Sequence, residues 1–122
     1  MKTYKLSFGC ITILKSNIAE VIIDEGILMD LKMVDAYHSF LIAKLEAPFL
    51  LLINKKHAYT YTFEAQKAIM NIPLVKAMAV VTDVYFSKLA TDVLININRG
   101  SEWNIKTFDR HEEALKWLED AG

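Results

Sequence analysis

The sequence holds one cysteine, two prolines and four glycines in 122 residues, and carries almost no net charge. The lone Cys10 excludes an intrachain disulfide, a CxxC motif and a thiolate zinc site. A single thiol also suits a reducing compartment. So few chain breakers argue against collagen-like repeats, disorder and loop-rich secreted scaffolds. Fourteen basic against fifteen acidic residues give a charge of −1, with a pI near 6.3. That balance leaves no electrostatic footprint for nucleic acid or an anionic membrane. No apolar run approaches the ~20 residues that span a bilayer. Neither a nucleic-acid partner nor membrane insertion is expected.

The start, MKTYKLSFGCITIL, sets basic residues ahead of an apolar stretch that contains Cys10. A lipoprotein needs Leu or a similar residue three before the cysteine, and Ser7 stands there. Ser7 and Gly9 also break the stretch below the length of a signal core. A cytoplasmic location is expected. What the chain does have is 53% hydrophobic residues, 24% charged residues and a mass of 13.9 kDa. That is one domain, residues 1–122, able to bury a core without disulfides or metal.

Tyr4, Leu6, Phe8 and Cys10 alternate with polar or small residues, the period of a half-buried strand. The alternation changes phase at Ile11 and Ile13, and Gly9 is the expected place for a bulge or bend. Lys15-Ser16-Asn17 reads as a turn, and residues 18–24 (IAEVIID) as the return strand of an antiparallel hairpin. Asp30 can cap a helix to about Leu45, with Leu31, Val34, His38, Leu41, Ile42 and Leu45 as its apolar stripe. Met33, Tyr37 and Phe40 widen that stripe. After Pro48, residues 49–53 (FLLLI) suit a strand buried on both faces.

Thr62 can cap a short helix to about Asn71, with Phe63, Ala65, Ala68 and Ile69 available for burial; Pro73 stops it. Residues 74–82 (LVKAMAVVT) form the next buried strand. Thr82 or Asp83 caps a third helix carrying Phe86, Leu89, Ala90, Val93, Leu94 and Ile97, which Arg99-Gly100 ends. A short strand over 104–108 leads to Asp109 and Glu112, a capping box on a last helix with Ala114, Trp117, Leu118 and Ala121 on one face. The fold class expected is α/β: a mixed sheet with an N-terminal antiparallel hairpin followed by βα units, and four helices packed on the sheet.

Catalytic motifs fail one by one. His38, His57 and His111 fall in three elements with no HxxxH or HExxH spacing. Cys10 has no sequence-local base, no GxSxG elbow exists, and the four glycines form no phosphate loop. Asp24/Glu25 and Glu112/Glu113 lie at turns and helix starts, where carboxylates cap or solvate. No catalytic residue, metal ligand or cofactor is assigned, and the chain is read as non-enzymatic.

The stretch NKKHAYTYT, residues 54–62, offers the best candidate binding surface. It follows a buried strand and opens a helix, where open α/β sheets gather ligands. Lys55, Lys56, His57, Tyr59, Thr60, Tyr61 and Thr62 are its candidate residues. Asp83 and Tyr85 hold the corresponding place after the next strand. A solvated loop whose tyrosines pack back on the domain is the alternative reading. The third helix carries Val84, Tyr85 and Ile95 beyond its main stripe, so it is either deeply buried or a homodimer surface.

This order of elements resembles the STAS domain of bacterial anti-sigma-factor antagonists, and more closely small stand-alone STAS/SEC14-like (SpoIIAA-like) bacterial proteins of unknown function. The matching stretches are residues 18–34, the helix start Thr62-Phe63-Glu64-Ala65, and the ending over 105–118, IKTFDRHEEALKWL. The resemblance implies a SpoIIAA-like fold and a regulatory, protein-interaction role. In the antagonists a serine in an Asp-Ser-Ser/Thr-Gly sequence after the central strand is phosphorylated. Here NKKHAYTYT lacks the Asp, the Ser pair and the Gly, leaving only Thr60 and Thr62 as hydroxyls, so no phosphosite is carried over. The expectation is a module that docks a protein partner, with affinity from exposed aromatics and orientation from Lys55 and Lys56. The second reading, implied by the lipid-transfer side of the resemblance, is a carrier of a small apolar or lipid-like ligand in a cavity lined by residues such as Phe40, Phe86 and Leu89.

Overall fold

Gly9 opens a second strand instead of bending the first. In this computed structural model, which describes residues 1–69, 74–82 and 105–121, β1 (Lys2–Leu6) and β2 (Gly9–Lys15) are separate antiparallel strands with Leu6 paired to Gly9. Ser7 and Phe8 make the turn, and Phe8 swings into the core. A Cβ on Gly9 would stand 2.1 Å from the Ile22 carbonyl oxygen, so only glycine fits where β2 crosses β3 (Ile18–Ile23). The N-terminal hairpin is thus two thirds of a three-stranded meander, and the phase change marks a reversal of the chain.

After β3 come β4 (Leu28–Met29), α1 (Leu31–Lys44), β5 (Phe49–Asn54), β6 (Thr60–Tyr61), α2 (Phe63–Ala68), β7 (Val75–Val81), β8 (Ile105–Phe108) and α3 (His111–Ala121). Among the described residues the main sheet has six strands in the order β1-β2-β3-β5-β7-β8. Its first three strands are antiparallel, while the β3–β5, β5–β7 and β7–β8 pairs are parallel. β4 and β6 form a separate two-stranded parallel pair.

Alternation along each strand divides two hydrophobic layers. Ile11, Val21, Leu51, Met78 and Val80 face α1, which contributes Val34, Tyr37 and Leu41, and α2, which contributes Ala65. Ile18, Leu50, Leu52, Ala77 and Ala79 face α3, which contributes Ala114 and Leu118. Because β5 and β7 are covered on both sides, their sequences read as unbroken apolar runs.

The expectation of four helices on the sheet is corrected to three among the described residues: α1, α2 and α3. The segment read as a further helix, residues 83–97 after a cap at 82 or 83, lies outside the described residues. Within α1, Asp30 caps as expected, its side chain accepting from the Met33 N–H at 2.9 Å. Val34, Leu41 and the stripe-widening Tyr37 enter the core, while Leu31 and Ile42 of the expected stripe stay exposed. In α3 the first helical bond runs from the Ala114 N–H to the Arg110 carbonyl. The helix therefore begins after Arg110, and Asp109 stands one residue outside the cap position.

Candidate functional site

The segment over 54–62 leaves β5 and is zipped to the chain that leads from β3 into β4. Gly26 donates to the Ala58 carbonyl at 2.8 Å, Thr60 to Ile27 at 3.0 Å and Thr62 to Met29 at 2.9 Å. The Glu25 carboxylate accepts from the Ala58 N–H at 2.8 Å, and its Oε2 lies 3.9 Å from His57 Nδ1. Gly26 adopts φ +77°, the left-handed turn conformation that glycine enters without a Cβ penalty. The stretch is a fixed feature of the fold.

Lys55 is the least expected residue in it. Its N–H donates to the Val81 carbonyl at 2.8 Å and so extends the β5–β7 ladder by one residue. Strand alternation then turns its side chain to the same face as Leu51 and Ile53. It is only 8% exposed. The Nζ lies 5.1 Å from the Tyr59 ring centroid and 6.0 Å from that of Tyr61. Burial lowers its pKa from 10.5 to about 8. The ion pairs among the described residues join Lys15, His57 and His111 to glutamates, and none involves Lys55.

Around this ammonium the rings of Tyr59 and Tyr61 stand edge to face, 5.5 Å apart, with the Tyr61 hydroxyl donating to that of Tyr59 at 3.3 Å. Burial pushes Tyr61 up to about 12 and raises Tyr59 and Tyr37 further, so all three hydroxyls stay protonated at neutral pH. Together with Val21, Ile23, Met29, Ile53, Ile69, Met78 and Val80 they enclose a cleft of about 30 Å³ at the C-terminal ends of β3, β5 and β7. A second, polar cleft of about 130 Å³ lies beside it, formed by Asn54, Lys55, Lys56, Val81, Thr82 and Asp109.

The candidate residues therefore divide. Lys55, Tyr59 and Tyr61 line the apolar cleft, while Lys56 and Thr60 are exposed and His57 is half-exposed. Thr62 caps α2, its Oγ1 accepting from the Ala65 N–H at 3.2 Å. Asp83 and Tyr85 lie outside the described residues. The sequence reading missed Tyr37, Met29 and Met78 as walls of the same cleft. The alternation Leu51, Ile53, Lys55 is the signal that could have placed the lysine inside.

Three large apolar side chains were also missed as surface residues. Met29 pairs with Tyr61; two residues further on, Leu31 opens α1 and Phe63 opens α2. Both are exposed, as is Leu28 opposite Thr60, and Phe63 reaches 68% exposure. Phe63 was expected to be buried, but its position at the first turn of α2 leaves it outside, with Lys67 Nζ 4.5 Å from its ring.

Among the described residues no group of three or more His, Cys, Asp or Glu is placed to hold a metal ion. No helix of the described residues is long and apolar enough to cross a membrane. His38, in the α1 stripe, has an Nε2 buried without a hydrogen-bond partner among the described residues. Burial lowers its pKa, opposed by the Ile69 backbone and by Asp35.

The family described as Domain of unknown function (DUF7793) matches this sequence over residues 12–121, a span from β2 to the end of α3. The chain belongs to that family. This DUF7793 chain is similar in structure to an uncharacterized protein of the DUF3478 family with a SpoIIAA-like fold, from Shewanella loihica PV-4. The TM-score is 0.59 at 16% identity, covering 96% of this chain and 90% of the other. At that identity the likeness carries the fold, which is SpoIIAA-like and related to the STAS architecture expected from the order of elements. No curated protein matches the sequence.

Proposed function

We propose that this DUF7793 domain is a non-enzymatic regulatory module that docks a partner protein on the edge built by the β4–β6 pair and the 54–62 segment. The observation that carries the reading is the trio Leu28, Leu31 and Phe63, exposed around one small parallel pair beside Lys56 and Thr60. Apolar anchors with a charged neighbour suit a protein interface, where anchors give affinity and charge gives orientation. With Lys55 buried, orientation falls to Lys56; with Tyr59 and Tyr61 turned inward, the exposed aromatic is Phe63. A second copy of the chain is one possible partner, although the surface expected for a homodimer, on residues 83–97, lies outside the described residues.

Carriage of a lipid-like ligand has less support. The apolar cleft offers about 30 Å³, far below the ~300 Å³ at which pockets for sizeable ligands begin. Of the residues expected to line a carrier cavity, Phe40 packs on Tyr4 at 5.1 Å, and Phe86 and Leu89 lie outside the described residues.

A photo-crosslinking residue placed at Thr60, in cells of the source organism, tests the docking reading. A discrete adduct is expected from that position and not from exposed Lys5 on β1. The adduct should disappear with Phe63→Ser and Lys56→Glu while the melting temperature holds within about 2 °C. No adduct from Thr60, or the same adduct from Lys5, removes the proposal.

A further inference from the structure

The outer faces of α1 and α3 differ in kind. From its second residue onward, the exposed positions of α3 are Glu112, Glu113, Lys116, Glu119 and Asp120, all charged. A helix face that meets only water ordinarily carries such residues. Between Asp35 and Lys44, the exposed positions of α1 are Ala36, Ser39, Ile42 and Ala43, none of them charged. Ile42 keeps 44% of its surface in solvent there. The sheet-facing side of the same helix is already filled by Val34, Tyr37, Leu41 and Leu45, so this outer face has no partner within the chain among the described residues.

Charge at the two ends of the face defines what fits it. Lys32, Ala36, Ser39, Ala43 and Glu46 fall on one line along the helix and its exit, and all five are exposed. Lys32 stands seven positions before Ser39 and Glu46 seven after it. Two copies laid antiparallel about a two-fold axis at Ser39 therefore set Lys32 of each against Glu46 of the other. Ala36, three before Ser39, then meets Ile42, three after it. A parallel pair sets lysine on lysine and glutamate on glutamate, so the charges select the antiparallel direction. The small side chains of Ala36, Ser39 and Ala43 let the axes approach toward the lower end of the ~8–10 Å range, which covers Ile42. Glu46 is held in place by its N–H, which donates to the Ser16 carbonyl at 2.9 Å. No ion pair among the described residues involves Lys32 or Glu46. Asp35 stays on the flank, in water.

We propose that the outer face of α1 binds a second copy of this chain, the two helices pairing antiparallel with Lys32 of each on Glu46 of the other. Both subunits use the same surface, so the pair closes on itself as a dimer. One helix pair is smaller than the roughly 1,600 Å² of a standard interface, so the dimer is weak and reversible, with a Kd on the order of 0.1 mM. The surface is separate from the docking edge and does not require that reading. Because Leu31 opens α1, antiparallel pairing leaves the two docking edges at opposite ends of the helix pair.

Sedimentation equilibrium of the whole chain, from about 10 µM to about 1 mM, tests this directly. A monomer–dimer equilibrium is expected. Lys32→Glu should weaken it at least about tenfold, and Lys32→Glu combined with Glu46→Lys should restore it, because the charges are then exchanged and not lost. Under mild oxidation Ser39→Cys should form a linked dimer, since the two-fold axis brings both copies of that position within disulfide reach. The parent chain, whose thiol is Cys10, and Lys116→Cys on α3 should stay unlinked. No association up to about 1 mM overturns the proposal, as does a dimer indifferent to Lys32→Glu, unrestored by the exchange, or not linked through Ser39→Cys. Dimerisation lost with Phe63→Ser and kept with Lys32→Glu places the interface on the docking edge; it overturns this inference and leaves the docking reading standing. The cross-link needs no change of charge, so a misfolded reversal variant does not decide the matter.

Discussion

Glu20 of β3 and His111 of α3 meet at 3.1 Å, Oε1 to Nε2, across 91 positions of sequence. The other carboxylate oxygen accepts from Asn54 Nδ2 at 2.9 Å, so one half-buried side chain ties the third strand to the end of β5 and to the first turn of the last helix. It stands on the α3 face of the sheet, where its strand neighbour Ile18 packs with Leu50, Leu52 and Leu118.

Removing Glu20 leaves Asn54 and His111 without that partner. Glu20→Ala is expected to cost about 1–2 kcal/mol, read as a fall in the urea midpoint with an unchanged slope. Lys15→Ala, which breaks the exposed pair between Lys15 and Glu119, should cost no more than about 1 kcal/mol. Equal losses would mean that burial of the Glu20 cluster contributes nothing.

Gly9 tests the corrected N-terminal topology. A methyl group there would meet the Ile22 carbonyl oxygen at 2.1 Å and the Ile23 Cα at 2.9 Å, both backbone atoms that cannot step aside. Gly9→Ala is expected to lose about 3 kcal/mol or more, whereas Gly26→Ala, with open space around it but φ +77°, should lose only about 1 kcal/mol. Thermal unfolding of the two variants side by side separates a backbone collision from a turn penalty.

Lys55 imposes a pH dependence. Its native pKa of about 8 lies below the ordinary 10.5, so between those values the unfolded chain holds the extra proton and stability rises with pH. At neutral pH keeping this largely buried side chain charged costs up to roughly 3 kcal/mol. The tyrosines act oppositely: Tyr37, Tyr59 and Tyr61 are raised above 10.0, so stability falls once unfolded tyrosines begin to ionise. Chemical denaturation across pH 7 to 11 should therefore give a maximum near ~9.5. Lys55→Met should be more stable than the parent at pH 7 and flatten the rise. A profile that falls steadily from pH 7, or a Lys55→Met chain less stable at pH 7, contradicts the buried, unpaired lysine.

The two helix caps provide a local control. Asp30→Ala and Thr62→Ala each remove an acceptor from a helix N–H and should cost about 1 kcal/mol. Phe63→Ser, on the exposed face, should stay within about 0.5 kcal/mol. A larger loss at Phe63 would make it a structural residue and withdraw it from the docking edge.

These residues also mark what was readable in advance. Asp30, Thr62 and the run over 49–53 act locally, through a cap or through continuous burial, and local patterns specify them. How much of the widened α1 stripe enters the core depends on where the sheet lies, so Tyr37 is buried and Leu31 and Ile42 stay exposed without any change in helical spacing. β4 and β6 are two residues each, too short to show a period, and their pairing over about thirty positions has no local signature. The candidate segment was visible from composition and from its place after a buried strand. Its division into an inner cleft and an outer edge required knowing that the β5–β7 ladder continues to Lys55.

One edge of the main sheet belongs to β1, whose outer backbone groups have no partner strand among the described residues. Lys2 and Lys5, both exposed, are charges along that margin. Bringing a second such margin alongside sets like charges together, and that discourages open-ended growth of the sheet from molecule to molecule. Behind β1 lies β2, with Cys10, Ile11, Ile13 and Leu14 in its run. The first strand is thus a guard rail: without it, a far more adhesive border would face the solution.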